Sequence, residues 1–204
     1  MQWYRLLLLL ICFSIGQLGF SQVTEVPLGS GEPLQEGYYY KDVFEVLDPF
    51  VGTYVYTSND TIFKVVLQKK LMSSMNGVFY EDMLIGAYQL TVNNTDVINT
   101  LSELTVTYAN GTSYPINGNM FYVGNYFQEP NADYGANEVW LELSIQDTTN
   151  EDIADLYVRR ATVNGQEVIK IYMAGSVQAY MLNNPDNHVP YKLPVMQDLV
   201  LVKQ

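Results

Sequence analysis

The sequence predicts an all-β protein, an antiparallel β-barrel of about 8–10 strands preceded by a short N-terminal helical turn. Three observations predict this fold class. β-branched and aromatic residues alternate with polar ones along most of the chain, Asn and Gly separate the apolar runs, and no stretch has the periodicity of a long amphipathic helix. Closure of the sheet would also remove the exposed strand edges that favour aggregation.

The composition is that of a folded domain with an acidic surface. The 204 residues are 48% hydrophobic and 13% aromatic, with 22 Asp and Glu against 10 Lys and Arg and a net charge of −12. This length predicts about one domain, whose core is large enough to need no disulfide. The negative charge disfavours nucleic-acid binding, because that function relies on clustered Lys and Arg.

Residues 1–21 have the organisation of a secretory signal peptide. Arg5 supplies the positive charge, residues 6–13 form the apolar stretch, and Gly19-Phe20-Ser21 gives a small-residue cleavage site before Gln22. The sequence therefore predicts export to the periplasm or the exterior. The apolar stretch is shorter than the roughly 20 residues of a spanning helix, and we expect no membrane span elsewhere in the chain.

Residues 22–36 and a short turn precede the strands. Residues 22–36 are rich in Pro and Gly and lack periodicity, so we expect an extended lead-in over the surface. Residues 42–47 then place apolar side chains at helical spacing behind Asp42 as the capping residue, and Pro49 is expected to end this turn. Residues 37–204 are predicted to form a single β-barrel domain.

Strands are predicted for nine apolar runs that lie between turn signals. These are residues 51–57, 62–71, 78–92, 104–108, 120–123, 139–145, 156–163, 168–173 and 199–203. The turn signals are Ser58-Asn59-Asp60, Met75-Asn76-Gly77, Asn93-Asn94, Asn110-Gly111 and Asn164-Gly165. Asn and Gly accept the positive φ of tight hairpins, so neighbouring strands are expected to be antiparallel.

Four segments resemble an uncharacterised family of small secreted proteins from Bacteroidetes-type bacteria. They are Gly37-Tyr38-Tyr39-Tyr40-Lys41-Asp42, Leu47-Asp48-Pro49-Phe50-Val51-Gly52-Thr53-Tyr54, Tyr80-Glu81-Asp82-Met83-Leu84-Ile85-Gly86-Ala87-Tyr88-Gln89 and Leu199-Val200-Leu201-Val202-Lys203-Gln204. The resemblance covers most of the chain after the signal peptide. It implies a bacterial envelope or secreted setting and carries no activity.

A second resemblance is to lipocalin-like barrels, which open with a short helical plug followed by a Gly-x-Trp strand. Gly52-Thr53-Tyr54 stands where that motif would fall, with Tyr in place of Trp. The resemblance implies a lipocalin-like barrel with an aromatic floor. The Tyr leaves the formal motif incomplete.

The chain offers few groups for catalysis, and we predict that it is not an enzyme. The only Cys lies in the signal peptide, and His188 is the only His, which excludes a His pair for zinc. His188 follows a Pro- and Asn-containing stretch that is typical of an exposed loop. No nucleophile elbow or phosphate-binding loop occurs. We expect no cofactor and no metal.

Carboxylates are the remaining candidates for chemistry. Glu81 and Asp82 are adjacent on a strand, so they face opposite sides and do not act as a pair. Asp147, Glu151, Asp152 and Asp155 form an acidic segment whose spacing does not match a calcium loop. We interpret this segment as a solvated acidic loop.

Strand parity gives the candidate binding residues. On residues 78–92, one face carries Tyr80, Asp82 and Tyr88. If this face is internal, Asp82 is enclosed with Tyr80, Tyr88 and two residues of the opening strand, Tyr54 and Tyr56. A buried carboxylate must find partners or be protonated, and Tyr hydroxyls, Arg159 or Arg160 are the candidate partners.

Two functions fit these residues. One is a secreted or periplasmic lipocalin-like module that binds a small apolar or amphipathic ligand, which requires a cavity of roughly 300 Å³ or more. The other is a non-catalytic structural or interaction protein of the bacterial cell envelope, in which side chains fill the barrel and an exposed apolar patch carries the function. The sequence identifies no particular protein partner.

One further signal concerns modification. Asp60-Thr61-Ile62 resembles the Asp-Ser/Thr-aliphatic site at which such bacteria O-glycosylate exported proteins. The same residues also read as a plain turn into a strand.

Overall fold

The computed structural model describes residues 23–124, 135–149, 152–175, 192–194 and 198–204. Eleven β-strands and three 3-10 turns form in these ranges. The strands are β1 Thr24–Pro27, β2 Tyr38–Lys41, β3 Gly52–Ser58, β4 Thr61–Met75, β5 Phe79–Val92, β6 Thr95–Asn99, β7 Ile116–Val123, β8 Val139–Asp147, β9 Asp152–Val163, β10 Gln166–Gly175 and β11 Asp198–Lys203. The 3-10 turns are Asp48–Phe50, Leu101–Thr105 and Gly111–Ser113. None of the helices in the described ranges has the length and apolarity that a membrane crossing needs.

Eight of the strands close into an antiparallel barrel, as the sequence predicts. Around the barrel the order is β5, β4, β3, β11, β10, β9, β8 and β7. The ring closes where Leu84–Gly86 of β5 pair with Ile116–Gly118 of β7. A short helical turn stands before the first barrel strand, and this arrangement is compatible with a lipocalin-like barrel.

The predicted turns connect most of these strands. Asn59, Asn76, Asn93, Asn94 and Asn164 all have positive φ, between 49° and 57°, and each lies in a hairpin. This is the conformation that Asn tolerates better than most side chains. Asn110 is the exception, because its side chain accepts a hydrogen bond from the Thr112 amide and caps a 3-10 turn instead of a hairpin.

The N-terminal strands depart from the expected antiparallel pairing. β1 pairs with β2 in parallel, and β2 pairs with Tyr80 and Glu81 of β5 in parallel. The predicted lead-in, residues 22–36, therefore contains a strand. Four residues are too few for periodicity to show in the sequence, so β1 and β2 carry no pattern that distinguishes them from a loop.

The helical turn is confirmed, but it lies farther along the chain than expected. Asp42 accepts hydrogen bonds from the Val46 and Leu47 amides at 2.8 and 3.0 Å, but it does not cap the turn that forms, because the N-cap position there is Leu47. Glu45 has a φ of 53°, which breaks a right-handed helix, so the helical turn forms only at Asp48–Phe50. Pro49 belongs to this turn and does not end it.

The prediction of a strand at residues 104–108 is wrong. Leu101–Thr105 forms a 3-10 turn, and the chain then runs outside the barrel to Tyr114. Tyr114 packs with Met83 and Ile85 on the outer face of β5, with Leu104 and Tyr108 against them. This outer layer explains why both faces of β5 are apolar.

The barrel interior is packed at one end and open at the other. Leu47 and Phe50 of the turn region are buried and close one end, with the Tyr54 hydroxyl donating to the Phe50 carbonyl at 3.0 Å. We call this the closed end. At the opposite end, β3 and β4 meet at the hairpin of Ser58–Thr61, and we call this the mouth.

Candidate functional site

A cavity of about 580 Å³ opens at the mouth of the barrel. Its lining divides into an apolar floor and a polar rim. The floor residues are Phe63, Leu90, Leu193 and Leu199, all nearly inaccessible to solvent. The rim residues are Ser58, Asn59, Asp60, Thr61, Asn93 and Lys192, and Tyr56, Val92 and Pro194 lie between the two sets.

Strand register builds the floor. Tyr56 on β3 lies opposite Phe63 on β4, and Phe63 lies opposite Leu90 on β5. The three side chains therefore form one row across three strands on the inner face of the barrel. The next row toward the closed end is Tyr54, Val65 and Tyr88. The floor thus rests on a second, fully buried layer.

The rim is made by two hairpins and a short returning segment. The Asn93 amide donates to the Asp60 carbonyl at 2.9 Å, which links the β3–β4 hairpin to the β5–β6 hairpin. Lys192, Leu193 and Pro194 supply the third side of the cavity. We call residues 192–194 the strap.

Asp147 fixes the strap against the barrel. Its side chain is fully buried at the end of β8. One carboxylate oxygen accepts from the Lys192 amide at 2.7 Å and the Leu193 amide at 3.4 Å, and the other accepts from the amide and hydroxyl of Thr149 at 2.9 and 2.6 Å. A buried carboxylate with four donors is well satisfied. Asp147 is therefore a positioning residue for the cavity wall.

Three of the five candidate binding residues lie in the two inner rows nearest the mouth. Tyr56 lines the cavity directly. Tyr88 lies one row below, with its ring 5.9 Å from that of Phe63 and its hydroxyl donating to the Gln146 carbonyl at 2.6 Å. Tyr54 lies in the same row as Tyr88, and its hydroxyl reaches the Phe50 carbonyl of the closed end. Burial raises the pKa of both Tyr54 and Tyr88 to about 12, so their hydroxyls keep their protons.

The other two candidates, Tyr80 and Asp82, lie toward the closed end. Asp82 is six residues from Tyr88 along β5, about 20 Å at the usual rise of a strand. Tyr80 lies farther still and pairs with β2 through its backbone. The structure therefore does not bring Asp82 or Tyr80 together with Tyr56 at the mouth.

Asp82 holds the closed end together. It accepts hydrogen bonds from the Tyr39 hydroxyl at 2.6 Å and from the amides of Met72 and Asp42 at 3.1 and 3.0 Å. Burial, together with the Asp82 carboxylate, raises the pKa of Tyr39 well above its usual value. A Tyr hydroxyl is thus a partner of Asp82, as expected. The other expected partners pair elsewhere, Arg159 with Glu138 and Arg160 with Glu167.

A chain of ionic contacts continues from Asp82 toward the helical turn. Lys69 contacts Asp42 at 2.9 Å and Asp48 at 2.5 Å. Burial alone would lower the pKa of Lys69, but its hydrogen bonds to Asp48 and Asp42 raise it. The polar groups of this end are satisfied among themselves, which fits a role in joining the helical turn to the barrel.

The acidic segment is not the solvated loop that the sequence predicts. Asp147 is buried, as described above, and Asp155 lies in β9 and lines a smaller cavity of about 190 Å³ with Glu81 and Glu142. The side chains of Glu151 and Asp152 lie outside the described residues. Burial raises the pKa of Glu81, and a hydrogen bond from Asn119 opposes this shift. Within the described ranges, no cluster of His, Cys, Asp or Glu is placed to hold a metal ion.

The glycosylation-like site lies at the cavity, whereas His188 is not among the described residues. Thr61, at the centre of the possible glycosylation site, is half-buried on the cavity rim, between exposed Asp60 and exposed Ile62. His188 and the predicted signal peptide, residues 1–21, lie outside the described residues.

Most cavity residues have no sequence signal that marks them as a binding site. Leu90 is on the same face of β5 as Tyr88, so strand parity predicts that Leu90 faces the barrel interior. Parity does not show that Leu90 belongs to the cavity floor. Phe63 and Leu199 likewise alternate in their strands as core residues do. For Asp147 and Lys192 no local signal exists, because their contact joins residues 45 positions apart in the chain.

Comparisons with known proteins give one match. Neither the curated proteins nor the solved structures contain a protein that matches this chain. A family model, described as a family of unknown function (DUF6705), matches residues 1–204. The match spans the N-terminal strands and every barrel strand. The chain therefore belongs to the family DUF6705, a family of unknown function.

Proposed function

We propose that this protein is a binding module that takes a small amphipathic ligand into the mouth of the barrel. One observation carries the proposal, the cavity of about 580 Å³ with an apolar floor and a polar rim. Small-molecule sites usually measure about 300–1,000 Å³ and combine apolar walls with a few polar groups. The volume therefore exceeds the minimum that the sequence-based hypothesis requires.

The shape of the barrel supports the same function. The helical turn fills the closed end with Leu47 and Phe50, and the cavity lies at the other end. We propose that a ligand enters at the mouth, with its apolar part on Phe63 and Leu199 and its polar part at the rim. Burial of the apolar part would supply most of the binding free energy, at about 25 cal/mol per Å².

The chemistry of the lining supports binding in preference to turnover. Among its described residues the cavity lining has one carboxylate, Asp60, and one ammonium group, Lys192, both exposed. General acid–base catalysis takes groups with tuned pKa values within hydrogen-bond reach of the reacting atoms. Ligand binding makes no such demand.

We further propose that the protein acts after export, in the periplasm or outside the cell. The support is the order of charge, apolar stretch and small residues within residues 1–21. The test is the mass of the protein purified from its native host. An N-terminus at Gln22 supports export, and a chain that retains residues 1–21 contradicts it.

Native mass spectrometry of the protein purified from its host tests the binding function. We expect a stoichiometric adduct that organic extraction releases as a small amphipathic molecule. A chain that carries no adduct, and that binds no amphipathic compound added afterwards, would contradict the proposal.

Two matched variants connect an adduct to the cavity. Leu199 and Val200 are neighbours on β11, with Leu199 in the cavity floor and Val200 exposed on the outer face. Leu199→Phe narrows the cavity and should reduce the adduct, whereas Val200→Phe should leave it unchanged. Val92→Trp changes a half-buried residue of the cavity wall, so it disturbs the core less than Leu199→Phe. It should also reduce the adduct.

A second function, an interaction protein of the cell envelope, is favoured by a different surface. Phe44 and Leu71 are 75% and 62% exposed, and Val43 and Met72 are also exposed. These four residues lie together, because the backbone amides of Asp42 and Met72 donate to the same Asp82 carboxylate. We call them the closed-end patch.

Fractionation distinguishes this second function from the first. The double variant Phe44→Ser with Leu71→Ser removes most of the apolar surface of the closed-end patch without touching the cavity. If the patch carries the function, the variant leaves the envelope fraction and keeps its ligand adduct. If the cavity carries it, the distribution between fractions stays the same.

A further inference from the structure

We propose that the ligand of the mouth cavity is an anionic amphiphile, a single apolar chain that ends in a carboxylate or a similar acidic group, and that Lys192 binds this head group. This inference rests on the proposed function and specifies the chemical class of its ligand. Three observations support it: the fixed position of Lys192, the absence of an acidic partner for it among the described residues, and its place beside the apolar floor.

The position of Lys192 is set by buried contacts. Its backbone amide donates to Asp147 at 2.7 Å, and the carboxylate that accepts this bond is fully buried. The next residue, Leu193, is part of the floor and only 3% exposed. The backbone of Lys192 is therefore anchored at the point where the floor meets the rim.

The charge pairing of the described cations bears on the role of Lys192. Acidic residues outnumber basic ones by 22 to 10, and most described cations have a carboxylate within reach. The pairs are Lys41 with Glu25, Lys69 with Asp42 and Asp48, Arg159 with Glu138, and Arg160 and Lys203 with Glu167. Across the described ranges Lys192 has no such pair. Its ammonium group is therefore available to an acidic ligand.

Geometry favours Lys192 over Asp60 as the residue that selects the head group. Asp60 is exposed at the tip of the β3–β4 hairpin, and it has a single methylene. Lys192 has a four-carbon stem that can lie along apolar surface while its charged end stays in water. An ammonium group at the end of that stem can reach a head group whose chain lies on the floor.

Three ligands of equal chain length test the inference: dodecanoate, dodecanol and dodecylammonium. Their affinities for the full mature chain are measured by isothermal titration calorimetry at low and at high salt. We expect dodecanoate to bind about five-fold more tightly than dodecanol, the size of an exposed ion pair. Dodecylammonium should bind most weakly of the three, and the preference for dodecanoate should shrink at high salt.

Matched charge variants assign the preference to its residue. Lys192→Gln should remove the preference for dodecanoate and leave the dodecanol affinity unchanged, and Lys192→Glu should reverse the preference. Lys64→Gln, on the outer face of β4, is the control for lost charge and should keep the preference. Asp60→Asn should strengthen dodecanoate binding slightly or leave it as it is.

The outcomes separate this inference from the proposed function. If none of the three ligands binds, the proposed function fails together with the inference. If all three bind with equal affinity, or if the preference for dodecanoate persists in Lys192→Gln, the cavity binds amphiphiles and the role of Lys192 is overturned. Tighter binding of dodecylammonium also overturns it and points to Asp60.

Discussion

Single residues at the closed end show how this chain uses buried polar groups. Asp82 is 1% exposed and accepts three hydrogen bonds from two distant segments, from Tyr39 and Asp42 at β2 and from Met72 in β4. A carboxylate in this position stabilises the fold only while every donor is satisfied. Asp82 therefore joins the N-terminal region to the barrel.

Asp82→Asn should destabilise the protein without changing ligand affinity. The amide keeps the size of the side chain, but its NH₂ group turns a donor toward the donors that now bind the carboxylate. We expect a loss of about 2–3 kcal/mol in the free energy of unfolding, measured by urea denaturation. Asp96→Asn is the control, because Asp96 also accepts three hydrogen bonds but is exposed. A drop in ligand affinity with unchanged stability would contradict this role for Asp82.

Glu81→Gln should stabilise the protein at neutral pH. Burial raises the pKa of Glu81 above its usual value of 4.5, so the ionised side chain is less favourable in the folded state than in the unfolded one. The cost exists above the folded pKa and disappears as pH falls to the unfolded value. The variant should therefore melt at a higher temperature at pH 7, and the difference should vanish below about pH 4.5. An equal difference at both pH values would refute the assignment.

Sequence reasoning at this scale identified residue environments better than residue partners. Parity placed Asp82 on the inner face of β5 and required a partner for it, and a Tyr hydroxyl is indeed one partner. The sequence does not reveal that the hydroxyl belongs to Tyr39 or that two backbone amides complete the set, because β2 pairs with β5 across 41 positions of sequence.

Two elements, a strained bulge and a segment held by hydrogen bonds, can be tested by single changes. The first is the bulge in β4 between Lys70 and Ser73, where Met72 has a φ of 47°. A Met side chain is disfavoured in this region of backbone space. The Met72 amide donates to Asp82, and this buried contact keeps the bulge in place. The strained conformation of Met72 therefore places its amide where it can bind Asp82, which connects β4 to the closed end.

Met72→Gly should stabilise the protein by about 0.5–1 kcal/mol, because Gly adopts positive φ without steric cost. Met72 is about half exposed, so little apolar burial is lost. Thermal unfolding measures the effect. Leu71→Gly in the same bulge is the control. It should destabilise the protein, because Leu71 has no positive φ and Gly only raises the conformational entropy of the unfolded chain. If both variants lose stability equally, the backbone of Met72 is not strained.

The second element is the strap, residues 192–194, which Asp147 holds against the end of β8. Asp147→Asn weakens at least one of its four hydrogen bonds, because an amide cannot accept through both of its heavy atoms. We expect faster hydrogen exchange at the Lys192 and Leu193 amides and weaker ligand binding. The amides of β9 and β10 should keep their protection. Unchanged exchange at the strap would show that other contacts hold it.

Elements that depend on local interactions are predicted correctly from the sequence, and elements that depend on contacts between distant segments are not. Hairpins with Asn at positive φ were predicted because their signal is local. The strand predicted at residues 104–108 was wrong, because apolar residues there cover the outer face of β5 as a layer outside the sheet. β1 and β2 were missed because they are short and pair in parallel.

At the scale of the whole molecule, the sequence predicted the fold class and the structure adds the asymmetry of the barrel. Alternation and turn residues sufficed for an all-β barrel of the correct size. The division into a closed end and an open mouth depends on which rows of side chains fill the interior, and that follows from the register of all eight strands. Of the five predicted binding residues, only Tyr56 lines the cavity.

The most direct test of the central claim is a titration of the isotope-labelled mature protein with dodecanoate, followed by NMR of the backbone amides. The claim that the mouth binds an amphipathic ligand predicts saturable shifts at Tyr56, Phe63, Leu90 and Leu199. It also predicts no shifts at Phe44, Met72 and Asp82 of the closed end. Shifts confined to the closed end, or none at all, would contradict the claim.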